Sequence, residues 1–302
     1  MFQTITELRN LLGNVLRHPN NRHARVAAAF RFLRWQIHKR LIKKPVVIPV
    51  GRNRSFKVVC DSKFSSMVLY NVLPDWDEMN FLLRFLRPED AFIDIGANVG
   101  FYTILASTIV IETPILAIEA NPRNASVLRE QIALNNVGNI RMLETALGDA
   151  ESTLMFDDCG RETGSLAHEG VSFQRQIEVR CTLLDTLLAG NALADCIVAK
   201  MDVEGCEEMI LRGAKETLKR GDVSVWLFEL ADAGLRRHGS SSERLIQVFE
   251  QSGYSILYWD EERQHLGHRG DEADSDRGNY LACRNEAFVR ERLSAKSRDG
   301  SR

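Results

Sequence analysis

Phe92-Ile93-Asp94-Ile95-Gly96-Ala97-Asn98-Val99-Gly100-Phe101-Tyr102-Thr103 decides the fold. An apolar run stops at an acid, a turn with two glycines follows, and a helical pattern begins. Gly96 and Gly100 lack a Cβ, so the backbone there can turn sharply and come close to a ligand. Such turns lie at the carboxyl ends of strands in open α/β sheets, where ligands bind.

The acid argues for one kind of ligand. A pyrophosphate reader would be expected to show Gly-x-Gly-x-x-Gly, but Asp94 stands first and no third glycine follows. A carboxylate repels phosphate and suits a cationic or amine-bearing group. Glu119 ends the next apolar run, Ile115-Leu116-Ala117-Ile118, where it can accept from both ribose hydroxyls. Asp94 and Glu119 together read as a nucleoside site without phosphates, a fit for S-adenosylmethionine. The alternative is an ordinary glycine-bearing βα turn.

The 302 residues are 44% hydrophobic, enough for one large domain with an appendage. Six cysteines form no C-x-x-C pair and read as reduced thiols of a cytoplasmic protein. The first residues lack a basic segment followed by an apolar core, so no cleaved leader is expected. The apolar stretch 103–118 is broken by Glu112 and Pro114, so no membrane span is expected there. Residues 1–44 hold ten Lys/Arg against Glu7 alone, a net +9, which leaves −11 on the rest of a chain of net charge −2.

The basic arm, 1–45, reads as helices over 2–16 and 24–43. Val26, Phe30, Leu33 and Ile37 recur at helical spacing. The helix either lies on a membrane surface or partner, or packs across the body with its basic residues in water; the second is expected. Residues 46–90 read as a lead-in of short strands and a helix over 75–85. The main domain is 91–289. It alternates strands at 91–95, 115–119, 139–144, 197–201 and 223–229 with helices, including one over 206–219. Short strands are expected around 152–156 and 176–181, with a polar loop at 157–170 over the site. Late strands at 254–259 and 279–283 have no helix between them and predict an antiparallel hairpin. The tail 290–302 is expected to be flexible.

Strands end in acids at Asp94, Glu119, Glu144, Asp202 and Glu229, which suggests a shared polar site. Asp202 and Glu204 alternate in Asp202-Val203-Glu204-Gly205, so both can point to one side. A carboxylate there can take a proton from a substrate hydroxyl, bind the donor's amino group, or hold a divalent ion with Glu229. The plain alternative is capping of the following helix. The catalytic candidates are Asp202, Glu204 and Glu229, with no metal assigned. Lys200 either pairs with an acid or reaches the site. His168 is a weaker base candidate, and Cys206 reads as a small buried residue.

FIDIGANVGFYT (92–103), IEANP (118–122), ALGD (146–149), KMDVEGCE (200–207) and LRGA (211–214) resemble the FkbM family of S-adenosylmethionine-dependent methyltransferases. Trp76-Asp77-Glu78 and Arg87-Pro88-Glu89-Asp90 are also similar, and the resemblance spans about 56–260. It implies a Rossmann-like class I α/β fold: a seven-stranded, mostly parallel sheet with one antiparallel strand, here with a helical N-terminal extension. It implies that Asp94, Gly96, Asn98 and Gly100 hold the donor's methionine end, Glu119 its ribose, and that Ala146 lies beside adenine. The family often has histidine where Cys206 stands.

The resemblance also implies methylation of a hydroxyl on a small molecule or glycan, such as a lipo-oligosaccharide sugar or a polyketide. Two other readings are a nucleic-acid methyltransferase using the basic arm, and a non-catalytic protein that binds a membrane or partner. The acidic body and the absence of an Asn-Pro-Pro-Tyr-like tetrad argue against nucleic acid. The intact Asp94–Gly100 turn argues against a non-catalytic protein. Weak membrane-surface contact through the basic helix is the partner interaction left open.

Overall fold

The computed structural model describes residues 5–51, 53–157, 165–166, 176–190, 193–271 and 278–296. The arm forms α1 (Ile5–Arg17), a 3-10 turn (Pro19–Asn21) and α2 (Arg25–Leu41). A hairpin of β1 (Val46–Val50) and β2 (Arg54–Val58) follows, then α3 (Lys63–Asn71) and α4 (Trp76–Phe85). The core alternation starts with β3 (Ala91–Ile95), α5 (Phe101–Ala106), β4 (Ile115–Ile118), α6 (Pro122–Asn135) and β5 (Ile140–Leu143). Next come β6 (Ala146–Leu147), β7 (Ser152–Asp157), β8 (Ser165–Leu166), β9 (Gln176–Thr182) and α7 (Leu184–Leu188). The chain returns to the core through β10 (Ile197–Met201), α8 (Glu207–Arg212), α9 (Lys215–Arg220) and β11 (Val225–Glu229). It closes with α10 (Asp232–Arg237), α11 (Ser242–Gln251), β12 (Ser255–Asp260), β13 (His265–His268), β14 (Asn279–Cys283) and α12 (Glu286–Lys296).

The main sheet has the order β13-β12-β14-β11-β10-β3-β4-β5. β3, β4, β5, β10 and β11 pair in parallel, and β14 runs antiparallel between β11 and β12. The run from β12 to β5 is the seven-stranded sheet with one reversed strand. β13 adds an eighth, edge strand antiparallel to β12, inside the polar run after Asp260. Its sequence, HLGH, has one large apolar residue and gives almost no alternation to read.

β3 and β10 are buried along their whole length, as the central strands of a sheet covered on both faces must be. Their side chains alternate between two cores. Phe92 and Val198 pack on one face with Leu227, and Ile93 and Ala199 on the other with Trp226. Val15, Ala28, Phe32 and Trp35 of the arm join the first core.

Four expectations need correction. The face of α2 toward the body is Ala28, Phe32, Trp35 and Gln36, not Val26, Phe30, Leu33 and Ile37, which are exposed. The buried face wins because its polar atoms have partners: the Trp35 indole donates to Ser66 and Gln36 to the Tyr70 hydroxyl. The tail from 290 is helical to Lys296, because Arg292 pairs with buried Asp90 and Val289 and Leu293 are buried. The helix over 206–219 is two helices, α8 and α9, broken at Gly213. A Cβ there would lie 1.8 Å from the Gly148 carbonyl oxygen, so the LRGA and ALGD stretches meet backbone to backbone. Finally, α3 occupies part of 46–73, begun by Ser62, whose hydroxyl accepts from the Ser65 N–H. Most of the polar loop 157–170, with His168, lies outside the described residues. No helix among the described residues is long and apolar enough to cross a membrane.

Candidate active site

The turn after β3 places a cleft at the carboxyl end of the sheet. Gly96 has φ +78°, and a Cβ on it would lie 2.1 Å from the carbonyl oxygen of Asp202. The glycine is therefore needed where the chain leaving β3 passes close to the chain leaving β10. Asn98 is also left-handed, at φ +52°, which turns its N–H onto Glu119 Oε2 at 2.7 Å. Glu119 Oε1 accepts from the Asn121 N–H at 2.7 Å. Two backbone amides thus fix the orientation of the β4-tip carboxylate. Burial raises the Glu119 pKa to about 7, against the lowering effect of those amides.

The cleft takes in about 800 Å³ of space, part of it open to solvent. Gly96, Asn98, Glu119, Ala146, Asp202 and Glu204 line it, and so do Asn124, Thr145 and Phe156. Ala146 and Phe156 come from the second, four-stranded sheet of β6, β9, β7 and β8, which forms one wall. Sequence reading missed Phe156, which sits on a short strand outside the main alternation.

Asp94 and Gly100 do not line this cleft. Asp94 is fully buried, accepts from the Thr103 hydroxyl at 2.6 Å, and has its pKa raised by burial. Gly100 starts α5 at φ +85°, where a Cβ would lie 2.4 Å from Leu128 Cδ1, so packing explains it. Glu144 is paired with Arg129 on the surface and takes no part.

The DVEG turn is held from within. Glu207 is buried, and its Oε1 accepts from the Val203 and Gly205 N–H groups, both at 3.2 Å. Glu207 therefore does the work the sequence had offered to Asp202 and Glu204. This frees those two side chains, which are exposed at the cleft. Glu204 itself is left-handed, at φ +56°. Cys206 is buried 3.5 Å from His238 Nε2, and burial pushes its thiol up to about 12, so it is no thiolate nucleophile.

A second, polar pocket opens on the other side of Asp202. It is lined by Asp75, Glu78, Lys200, Asp202, Glu229 and Asn279, with Met201 and Leu227. Lys200 and Asp94 are register partners, so both side chains leave the same face of the sheet. Lys200 Nζ donates to Asp202 Oδ2 at 3.1 Å and lies 4.6 Å from the Tyr102 ring centre. Burial alone would lower the Lys200 pKa, but Asp202, Asp94 and Glu78 reverse this and hold it above its ordinary value.

The Tyr102 hydroxyl is 2.9 Å from Asp75 Oδ2 and 2.7 Å from Glu78 Oε2. One phenol proton cannot serve two carboxylates. The arrangement is satisfied when Glu78 carries a proton and donates to the phenol oxygen, which donates to Asp75. Burial, reinforced by Asp75, raises the Glu78 pKa to about 8. Glu229, at the β11 tip, is raised to about 7 by burial and then by Asp202 and Glu204. No group of three or more His, Cys, Asp or Glu side chains among the described residues is arranged to hold a metal.

Residues 94–256, more than half the chain, match the Methyltransferase FkbM domain. This chain belongs to the FkbM methyltransferase family. All the residues lining the larger cleft of this FkbM chain fall inside the matched span, whereas Asp75, Glu78 and Asn279 of the polar pocket fall outside it.

No curated protein matches the chain in sequence. Among solved structures it is similar to the methyltransferase FkbM from Methylobacillus flagellatus KT: 16% identity, 74% of this chain and 55% of that one, TM-score 0.39. It is also similar to a precorrin-6y C5,15-methyltransferase from Geobacter metallireducens GS-15 (15%, 67% and 83%, TM-score 0.37). A third is M. jannaschii TYW2 in complex with AdoMet (15%, 80% and 85%, TM-score 0.37).

Proposed function

We propose that this chain is an S-adenosylmethionine-dependent O-methyltransferase acting on a hydroxyl of a small molecule or glycan. The observation that carries the proposal is the position of Asp202, which lines both the donor cleft and the polar pocket. The residues fit the donor. Glu119 presents an oriented carboxylate to a pair of ribose hydroxyls, and Ala146 lies on the wall for adenine. Asn98 Oδ1 is buried with no protein partner, an acceptor suited to an amino group. When bound, S-adenosylmethionine supplies a sulfonium methyl as the electrophile.

The chain's own residues do the rest. Lys200 engages Oδ2 of Asp202 and leaves Oδ1 for the acceptor. Asp202 takes the hydroxyl proton, while Glu229 and Asp75 accept hydrogen bonds from neighbouring hydroxyls and position the acceptor. A pocket rich in carboxylates suits a polyhydroxylated, uncharged acceptor and disfavours nucleic-acid phosphates. The five described cysteines are free thiols, in keeping with a cytoplasmic protein.

Transfer of labelled methyl from S-adenosylmethionine into extracts, followed by mild hydrolysis of the product, tests the proposal. An alkali-stable methyl ether on a hydroxylated product supports it. Label recovered only in nucleic acid or on nitrogen overturns it.

A further inference from the structure

The outer face of α2 is at odds with a helix that simply finishes the fold. Val26, Phe30, Leu33, Ile37 and Leu41 are 86%, 65%, 54%, 59% and 78% exposed. At about 100° per residue they fall within an arc of roughly 80°, one continuous apolar stripe along the helix. The opposite face, with Phe32 and Trp35, is already buried in the body. The stripe therefore has no role in holding the helix down. An exposed apolar stripe of this length marks an interaction surface.

Charge identifies the surface it fits. Arg34 flanks the stripe on one side and Arg40 on the other, and Arg25, Lys43 and Lys44 are exposed at its ends. No Asp or Glu occurs between Glu7 and Asp61. A second copy of this chain would bring these cations against their own counterparts across a two-fold contact. An anionic lipid surface meets both demands: the stripe enters the acyl boundary and the flanking cations meet headgroups.

We propose that α2 docks the enzyme on an anionic membrane surface. The arm also touches the acceptor side of the site. His18 Nε2 is 3.1 Å from the Pro74 carbonyl oxygen, and its ring meets the Trp76 ring edge-on, beside Asp75. The docking goes beyond the methyl transfer proposed above and does not depend on it.

The test is sedimentation of the full chain with vesicles containing phosphatidylglycerol and, separately, with vesicles of phosphatidylcholine alone. Partition onto the anionic vesicles is expected, falling as salt is raised. Phe30→Glu with Leu33→Glu lowers it by about tenfold or more, with the unfolding temperature little changed. If that variant does not fold, Arg25→Gln with Arg34→Gln serves, and a several-fold loss on anionic vesicles alone is expected. Absence of binding, equal binding to both vesicle types, or binding indifferent to these substitutions overturns the proposal. Light scattering supplies the remaining outcome. A dimer that Phe30→Glu dissolves, with no vesicle binding, assigns the stripe to a second copy and overturns it as well.

Discussion

The two pockets that meet at Asp202 are built in opposite ways. The cleft proposed for the donor is made by backbone: Gly96 lets two strand tips come together, and the amides of Asn98 and Asn121 hold Glu119. Its parts follow one another along β3, β4 and their turns. The polar pocket is made by side chains brought from far apart: Asp75 and Glu78 at α4, Lys200 and Asp202 at β10, Glu229 at β11 and Asn279 at β14. Backbone architecture of the first kind persists through sequence change. Side-chain architecture of the second kind changes with each substitution. The first can be shared by a whole family, whereas the second suits the part of the reaction that differs between members.

The sharpest division between the halves is at Asp202. Asp202→Asn keeps the volume and removes the base, so turnover should fall by about 10²–10⁴. Donor affinity, set across the cleft at Glu119, should move much less. Single-turnover rates and calorimetric donor titration on the same variant read the two separately. Equal loss in both would erase the division.

Lys200→Met probes the polar side. It leaves buried Asp94 and its neighbour Asp202 without their shared cation, which should destabilise the fold by about 3–5 kcal/mol. Denaturant unfolding measures this. A variant of wild-type stability would mean that the carboxylates are neutral without it.

On the donor side, Glu119→Ala removes charge-assisted hydrogen bonds worth about 1.5–3 kcal/mol, so affinity for S-adenosylmethionine should fall roughly ten- to a hundredfold. Asp94 should behave differently from Glu119. It is buried against Thr103 and Lys200, so its loss should lower stability first and donor binding only as a consequence.

The smallest effect is a pH slope. Glu119 and Glu229 are raised from 4.5 to about 7, and Glu78 from 4.5 to about 8. A carboxyl with a raised folded-state pKa binds more protons folded than unfolded. Its contribution to stability is therefore full below the unfolded value and is lost as pH rises through the folded one. Unfolding free energy of the donor-free protein should decline between about pH 4.5 and pH 8 through these groups. Glu229→Gln should flatten the slope on the polar side, and Glu119→Gln on the donor side. A slope unchanged by both substitutions would mean that neither group titrates in that window.

The same contrast explains what could be read from the sequence. Strand, acid and glycine turn are contiguous, so the residue order alone, through Gly96, Asn98 and Glu119, locates the cleft, though not that Asp94 and Gly100 lie outside its lining. Local sequence also places the late antiparallel pair, β12 and β14. Tyr102 reads as one apolar residue of a helix, and nothing local shows that its hydroxyl meets Asp75 and Glu78. Glu207 is hidden behind the more conspicuous Asp202 and Glu204. The α2 face is misread for another reason. Periodicity locates a stripe but does not say which of two apolar faces is buried, and here aromatic size and hydrogen-bond partners decide for Phe32 and Trp35.

A crystal structure with S-adenosylhomocysteine bound tests most directly whether the reaction is centred on Asp202. The nucleoside should occupy the larger cleft, its ribose hydroxyls on Glu119, its adenine beside Ala146, and its sulfur toward Asp202 and the polar pocket. A nucleoside bound elsewhere, or one in this cleft with its sulfur turned away from Asp202, would contradict it.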